Sequence, residues 1–170
     1  MSIQLKWAII FYVVTKILKQ IHRTLLTRQK TVSLAESCTG GIISSLLTSQ
    51  SGSSGYFLSG VVAYSNKSKE LLLGIPEKTI VKYGAVSEKI AKLMAENIRK
   101  KTNADFGLSV TGLAGPSGAN KNKPVGTVFI SLSDENRNIC RKFSFSGSRQ
   151  SIRKKSAQEA LKLLCAHLSR

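Results

Sequence analysis

Acidic residues are scarce in this chain. Its 170 residues hold 9 Asp and Glu against 26 Lys and Arg, a formal net charge of +17. Such a field draws in anions, phosphorylated small molecules as readily as nucleic acid, and cannot choose between them. Aromatic residues make up only 6% and are not interleaved with the basic runs, which argues against a stacking platform for single-stranded nucleic acid. Histidine is limited to His22 and His167, both in predicted helices, so a His-based catalytic group or metal centre is not expected. The three cysteines, Cys38, Cys140 and Cys165, are an odd number without CxxC spacing. That excludes a disulfide framework or zinc site and favours a reducing, cytoplasmic setting. The longest apolar stretch, Trp7 to Val14, is too short to span a bilayer. Lys16, Lys19 and Arg23 follow it without a small-residue cleavage site. No repeats or disordered composition interrupt the sequence.

What remains is the material of one compact domain over residues 1–170. Ile10, Val14, Ile17, Leu18, Ile21 and Leu25 recur at helical spacing, predicting an amphipathic helix over 1–28 packed on the domain. Short strands are predicted at 31–35, 58–64 and 105–110, and a hairpin from 125–132 and 139–145. Helices are predicted at 42–48, at 66–74 with Asn66 as N-cap, at 87–101 capped by Ser87, and from Ser148 onward. Strands alternating with helices, plus one hairpin, indicate an α/β fold with a mixed sheet. Ser37, Tyr64 with Asn66, and Thr111 each lie just past a predicted strand. If those strands are parallel, all three gather at one sheet edge, where open α/β folds bind ligands.

Ser37 lies between a strand and a helix in ESCTGG. There its hydroxyl can act as a nucleophile beside the free N–H groups of a helix start, or simply cap that helix. Cys38 is a rival nucleophile without a histidine partner. With histidine so scarce, the base has to be a lysine, and Lys69 in YSNKSK is the candidate, with neighbouring Lys67 the alternative. A lysine base must be neutral near pH 7, which requires its pKa to fall by about three units, or about 4 kcal/mol. Ser151 to Lys154 matches S-x-x-K, but the companion K-T-G element is missing, and the match is read as chance. The loop TGLAGPSG matches neither common phosphate-loop pattern but can form a backbone nest for an anion. Arg149, at the start of the last helix, can reach a phosphate or carboxylate.

Together, AESCTGG, GVVAYSNKSKELLLGI, YGAVSE, SVTGLAGPSG, KPVGTVFISL and FSGSRQSIR closely resemble the CinA carboxy-terminal domain family, the nicotinamide-nucleotide amidases, in order from about Thr24 to the end. The resemblance implies a three-layer α/β/α sandwich that hydrolyses nicotinamide mononucleotide to nicotinic acid mononucleotide and ammonia, without cofactor or metal. It implies catalysis by Ser37, Lys69 and Tyr64, with backbone groups of Cys38, Thr39 and Gly40 holding an oxyanion. Thr111, Gly112 and Arg149 would orient the substrate. The expected partner is a phosphorylated small molecule, with no specific nucleic acid and no membrane span; self-association is compatible with it. The competing readings are a basic nucleic-acid-binding module or an inactive member kept as an interaction protein. Ser148 stands where an acidic residue often precedes the arginine, Asn120 to Lys123 makes a basic loop, and the separate amino-terminal domain of longer members is lacking.

Overall fold

The computed structural model describes residues 3–121 and 123–169, with side chains from Val13 onward; the expected contributions of Trp7 to Tyr12, Ile10 among them, lie outside the described side chains. The elements run α1 (Ile3–Thr27), β1 (Val32–Glu36), α2 (Ile42–Leu47), β2 (Phe57–Val62), α3 (Asn66–Leu73), α4 (Glu77–Tyr83), α5 (Glu88–Thr102), β3 (Phe106–Gly112), β4 (Thr127–Ser133), β5 (Asn138–Ser144) and α6 (Arg149–Leu168). The five strands form one sheet in the order β2-β1-β3-β4-β5. β2, β1 and β3 are parallel, and β4 and β5 join as antiparallel neighbours. The hairpin between β4 and β5 closes on Asp134, whose Oδ1 accepts from the Asn136 and Arg137 amides at 2.7 and 2.6 Å, the short-range bonding that makes aspartate a turn former.

Two apolar clusters flank the sheet and make it the middle of three layers. On one side α1, α2 and α6 bury Ile21, Leu25, Ile43, Ala160, Leu161 and Leu164 against Leu34, Val110 and Ile130 of the strands. On the other, Leu73, Ile80, Ile90, Met94 and Ile98 of α3, α4 and α5 pack together with Ala35. Ile90, Met94 and Ile98 are one stripe of α5, each contributing about 1.5–3 kcal/mol by leaving water.

The strand residues facing α5 are small, and this sets how closely the helix lies. Gly107, Ser109 and Thr111 alternate along β3 on that face. A Cβ on Gly107 would come within 2.0 Å of the Ala95 carbonyl oxygen, so α5 rests backbone against backbone there. Ser109 Oγ donates to Ala91 O at 2.6 Å and Thr111 Oγ1 donates to Ala85 O at 2.9 Å, tying α5 and the turn before it to β3. α5 is bounded by Ser87, whose side chain accepts from the Ile90 amide, and by left-handed Asn103. The cap of α3 is Ser65 rather than Asn66: Ser65 Oγ accepts from the Ser68 amide at 3.0 Å. α4 was not among the expected elements. Among the described residues no helix is long and apolar enough to cross a membrane.

Candidate active site

Because β1, β2 and β3 run parallel, the residues that follow them meet at one sheet edge. Ser37 leaves β1, Ala63 and Tyr64 leave β2, and Thr111 and Gly112 end β3. Lys69 reaches the same edge from α3. It shares the inward face of that helix with Leu73, four residues on, and so fills a position where an apolar side chain would be usual. At 1% exposure it is buried. Its Nζ lies 3.2 Å from Ser37 Oγ, and donates to Ala63 O at 2.7 Å and Tyr64 O at 3.2 Å. As an ammonium it has a donor for each of the three oxygens; once deprotonated it keeps two N–H donors for the carbonyls and turns a lone pair toward the serine proton. Burial lowers the Lys69 pKa from 10.5 to about 8, opposed by the nearby Cys38 thiol. Lys67, the alternative base, is exposed and paired with Glu70 at 2.8 Å.

Cys38 lies beside this pair, but burial pushes its thiol up to about 12, so it carries little thiolate near neutral pH. The turn that carries Ser37 differs from the expected strand-to-helix step. α2 begins only at Ile42, and its start is already occupied. The buried Glu36 carboxylate accepts from the amides of Gly41 (3.0 Å), Ile43 (3.2 Å) and Ser44 (2.8 Å), and from Ser44 Oγ (2.7 Å). Three amides at the helix start are therefore already engaged. Gly40 was expected to offer its N–H together with Cys38 and Thr39, yet it donates to Ser37 O at 3.1 Å. The Cys38 and Thr39 amides have no backbone acceptor among the described residues.

A cleft of about 170 Å³ opens over these groups. Ser37, Cys38, Tyr64, Lys69, Thr111, Gly112 and Arg149 line it, with Ala85, Val86 and Ala114 supplying apolar wall. The Thr111 hydroxyl is committed to Ala85 O, so its place in the cleft wall serves to hold the α4–α5 turn. Gly112 is required by packing, because a Cβ there would stand 2.7 Å from Val128 Cγ2 on β4. Tyr64 was expected among the catalytic residues, with the serine proton passing to Lys69 either directly or through it. Its phenol instead accepts from Arg149 Nη2 at 2.7 Å and has no hydrogen bond to Ser37 or Lys69. Arg149 Nη1 donates to Gly115 O at 2.7 Å, so this arginine bridges the cleft mouth from α6 to the loop after β3. Among the described residues no three His, Cys, Asp or Glu side chains gather as a metal site would require.

The sequence reading missed Glu36 and Arg153, whose Nη2 donates to Thr39 O at 2.8 Å. The signal for Arg153 was the spacing of two arginines four residues apart at the start of one helix, where positive side chains oppose the helix dipole unless something engages them.

The model of the CinA C-terminal domain family matches residues 14–168. A CinA-like protein of Endomicrobium trichonymphae is 51% identical over 142 residues, covering 84% of this chain and 33% of that protein. A CinA-like protein of Thermotoga neapolitana is 49% identical over 148 residues, covering 87% of this chain and 36% of its own length. The chain thus spans about a third of the curated relatives it matches. Among solved structures, the competence/damage inducible protein CihA of Agrobacterium tumefaciens superposes with a TM-score of 0.88 at 33% identity, over 92% of this chain and 96% of that one. A CinA superfamily protein of Klebsiella pneumoniae superposes with a TM-score of 0.87 at 26% identity, over 92% and 98%.

Proposed function

This chain belongs to the CinA C-terminal domain family, and from that premise we propose that it is a serine amidohydrolase converting nicotinamide mononucleotide to nicotinic acid mononucleotide and ammonia. The observation that carries the reading is the buried contact of Lys69 Nζ with Ser37 Oγ, made by a lysine whose pKa falls to about 8. Neutral Lys69 takes the Ser37 proton directly, and Oγ attacks the carboxamide carbon of the pyridine ring. The Cys38 and Thr39 amides receive the carbonyl oxygen as it becomes an oxyanion. When the C–N bond breaks, Lys69 returns the proton to the leaving nitrogen and ammonia departs. Water, deprotonated by the same lysine, then attacks the acyl-serine and releases the carboxylic acid and free Ser37.

The cleft suits the reacting end of such a substrate. Ala85, Val86 and Ala114 offer apolar wall for a flat ring, and Arg149 stands at the mouth for the ribose phosphate. A guanidinium matches phosphate through paired N–H donors. The chain's high positive charge favours arrival of an anionic substrate. No metal or cofactor enters these steps, and the free cysteines suit a cytoplasmic setting. Hydroxylamine tests the acyl-serine step, because it competes with water for that intermediate. Turnover of nicotinamide mononucleotide in its presence should divert product to the hydroxamate. Continued hydrolysis without any hydroxamate would mean that water attacks the amide directly and that Ser37 is not the nucleophile.

A further inference from the structure

Arg149 has a place in the steps above, but Arg153, one turn further along α6, has none. Its Nη2 donates to the Thr39 carbonyl at 2.8 Å. The guanidinium also lies against Gly40, where an added Cβ would stand 3.0 Å from Nη2. Thr39 O and Gly40 N belong to one peptide plane, and Gly40 N–H donates to Ser37 O at 3.1 Å. Both polar atoms of that plane are therefore fixed, one by Arg153 and one by the turn itself. The plane closes the four-residue turn whose two inner residues, Cys38 and Thr39, carry the amides without a backbone acceptor. Gly40 and Gly41, at φ +60° and +92°, follow directly, and glycine resists rotation of such a plane least of all residues. The Thr39 side chain gives no help, because its buried hydroxyl makes no hydrogen bond.

We propose that Arg153 is the positioning residue of the oxyanion-binding turn: by holding the Thr39 carbonyl it keeps the Cys38 and Thr39 amides set for the tetrahedral intermediate on Ser37. This inference rests on the serine-nucleophile reading above. Arg153 acts through the turn and touches neither substrate nor the Ser37–Lys69 pair. Its loss should lower kcat and leave KM nearly unchanged, the mark of an interaction made in the transition state. Removing an oxyanion donor outright costs about 10²- to 10³-fold; loosening the turn that carries two of them should cost about 10- to 10²-fold. Burial and Cys38 are the influences on Lys69, so the rise of kcat/KM through pH 8 should stay in place.

The test uses two readouts on folded wild-type, Arg153→Met and Arg153→Lys proteins, with thermal unfolding run on each. The first is kcat and KM for nicotinamide mononucleotide. The second is the rate at which a fluorophosphonate labels Ser37. In that reaction Oγ forms the bond to phosphorus, fluoride leaves, and Lys69 takes the serine proton, so it needs the nucleophile and the turn but no pyridine substrate. Arg153→Met should slow both kcat and labelling by about 10-fold or more, and Arg153→Lys, which keeps one charged donor, should fall between it and wild type. Labelling of folded Arg153→Met within twofold of wild type would overturn the inference, as would a change in KM alone. Should the wild type label at Ser37 and yet leave nicotinamide mononucleotide intact, the substrate reading fails while slowed labelling of Arg153→Met still supports the positioning role. A wild type that does not label at Ser37 would overturn both.

Discussion

If Lys69 is the base, the rate must follow its titration. With the pKa lowered from 10.5 to about 8, the neutral fraction at pH 7 rises from about three in ten thousand to about one in ten, a gain of about 300-fold. The profile of kcat/KM against pH should therefore rise with unit slope below about pH 8 and level off above it. Lys69→Met should cost about 10²-fold or more in kcat. Lys69→Arg should do no better, because a guanidinium keeps its proton. Lys67→Met serves as the control and should change little, since Lys67 is exposed and paired with Glu70. Stability supplies an independent check. A lysine with a lowered pKa in the folded state binds fewer protons there than in the unfolded chain between pH 8 and 10.5. Its burial therefore costs stability, fully below pH 8, and the cost fades as pH rises toward 10.5. The full cost is about 3 kcal/mol. Lys69→Met should accordingly be more stable than wild type at pH 7, with the difference shrinking in denaturant melts at higher pH. A flat rate profile from pH 6 to 10, or near-normal turnover by Lys69→Arg, would refute the reasoning.

Cys38→Ala should keep most activity, because the thiol pushed up to about 12 has no part in the attack; a loss matching that of Ser37→Ala in ammonia release would move the nucleophile to Cys38. Arg149→Ala should impair hydrolysis of the nucleotide about 10- to 150-fold more than that of the phosphate-free riboside. That difference should persist at high salt, since a direct contact is screened less than the bulk field; equal losses for both substrates would make Arg149 structural. Gly107→Ala should destabilise the fold by about 2 kcal/mol or more in chemical denaturation, because its Cβ meets the Ala95 carbonyl at 2.0 Å; an unchanged midpoint would mean that α5 can shift off the sheet at no cost.

The architecture was legible wherever local pattern and tertiary packing agree. The Ser87 cap of α5, the end of α3 at Gly74 and the start of the last helix at Ser148 all follow from periodicity and cap chemistry, and the structure keeps each of them. α4 escaped because it is seven residues long, with Ile80 its only buried side chain, too few turns for a period to emerge. Ser65 displaced Asn66 as a cap by one residue, within the usual play of helix ends. At the site, the residues that gather were readable from their places after strands. Their hydrogen bonds were not, because these depend on partners distant in sequence. Tyr64 meets Arg149 across 85 positions, and Arg153 meets Thr39 across 114. Glu36 stands next to Ser37, yet its task shows only once α2 is seen to start at Ile42 with its amides aimed at that carboxylate.

The most direct test of the account follows the pyridine ring protons of nicotinamide mononucleotide by NMR while ammonia is assayed in the same sample. Wild-type protein should convert the amide to nicotinic acid mononucleotide with one ammonia per product. Ser37→Ala, folded by the same thermal criterion, should release none above background, and Ser37→Cys should retain at most a remnant. Intact nicotinamide mononucleotide after long incubation with wild-type protein, or equal turnover by Ser37→Ala, would contradict it.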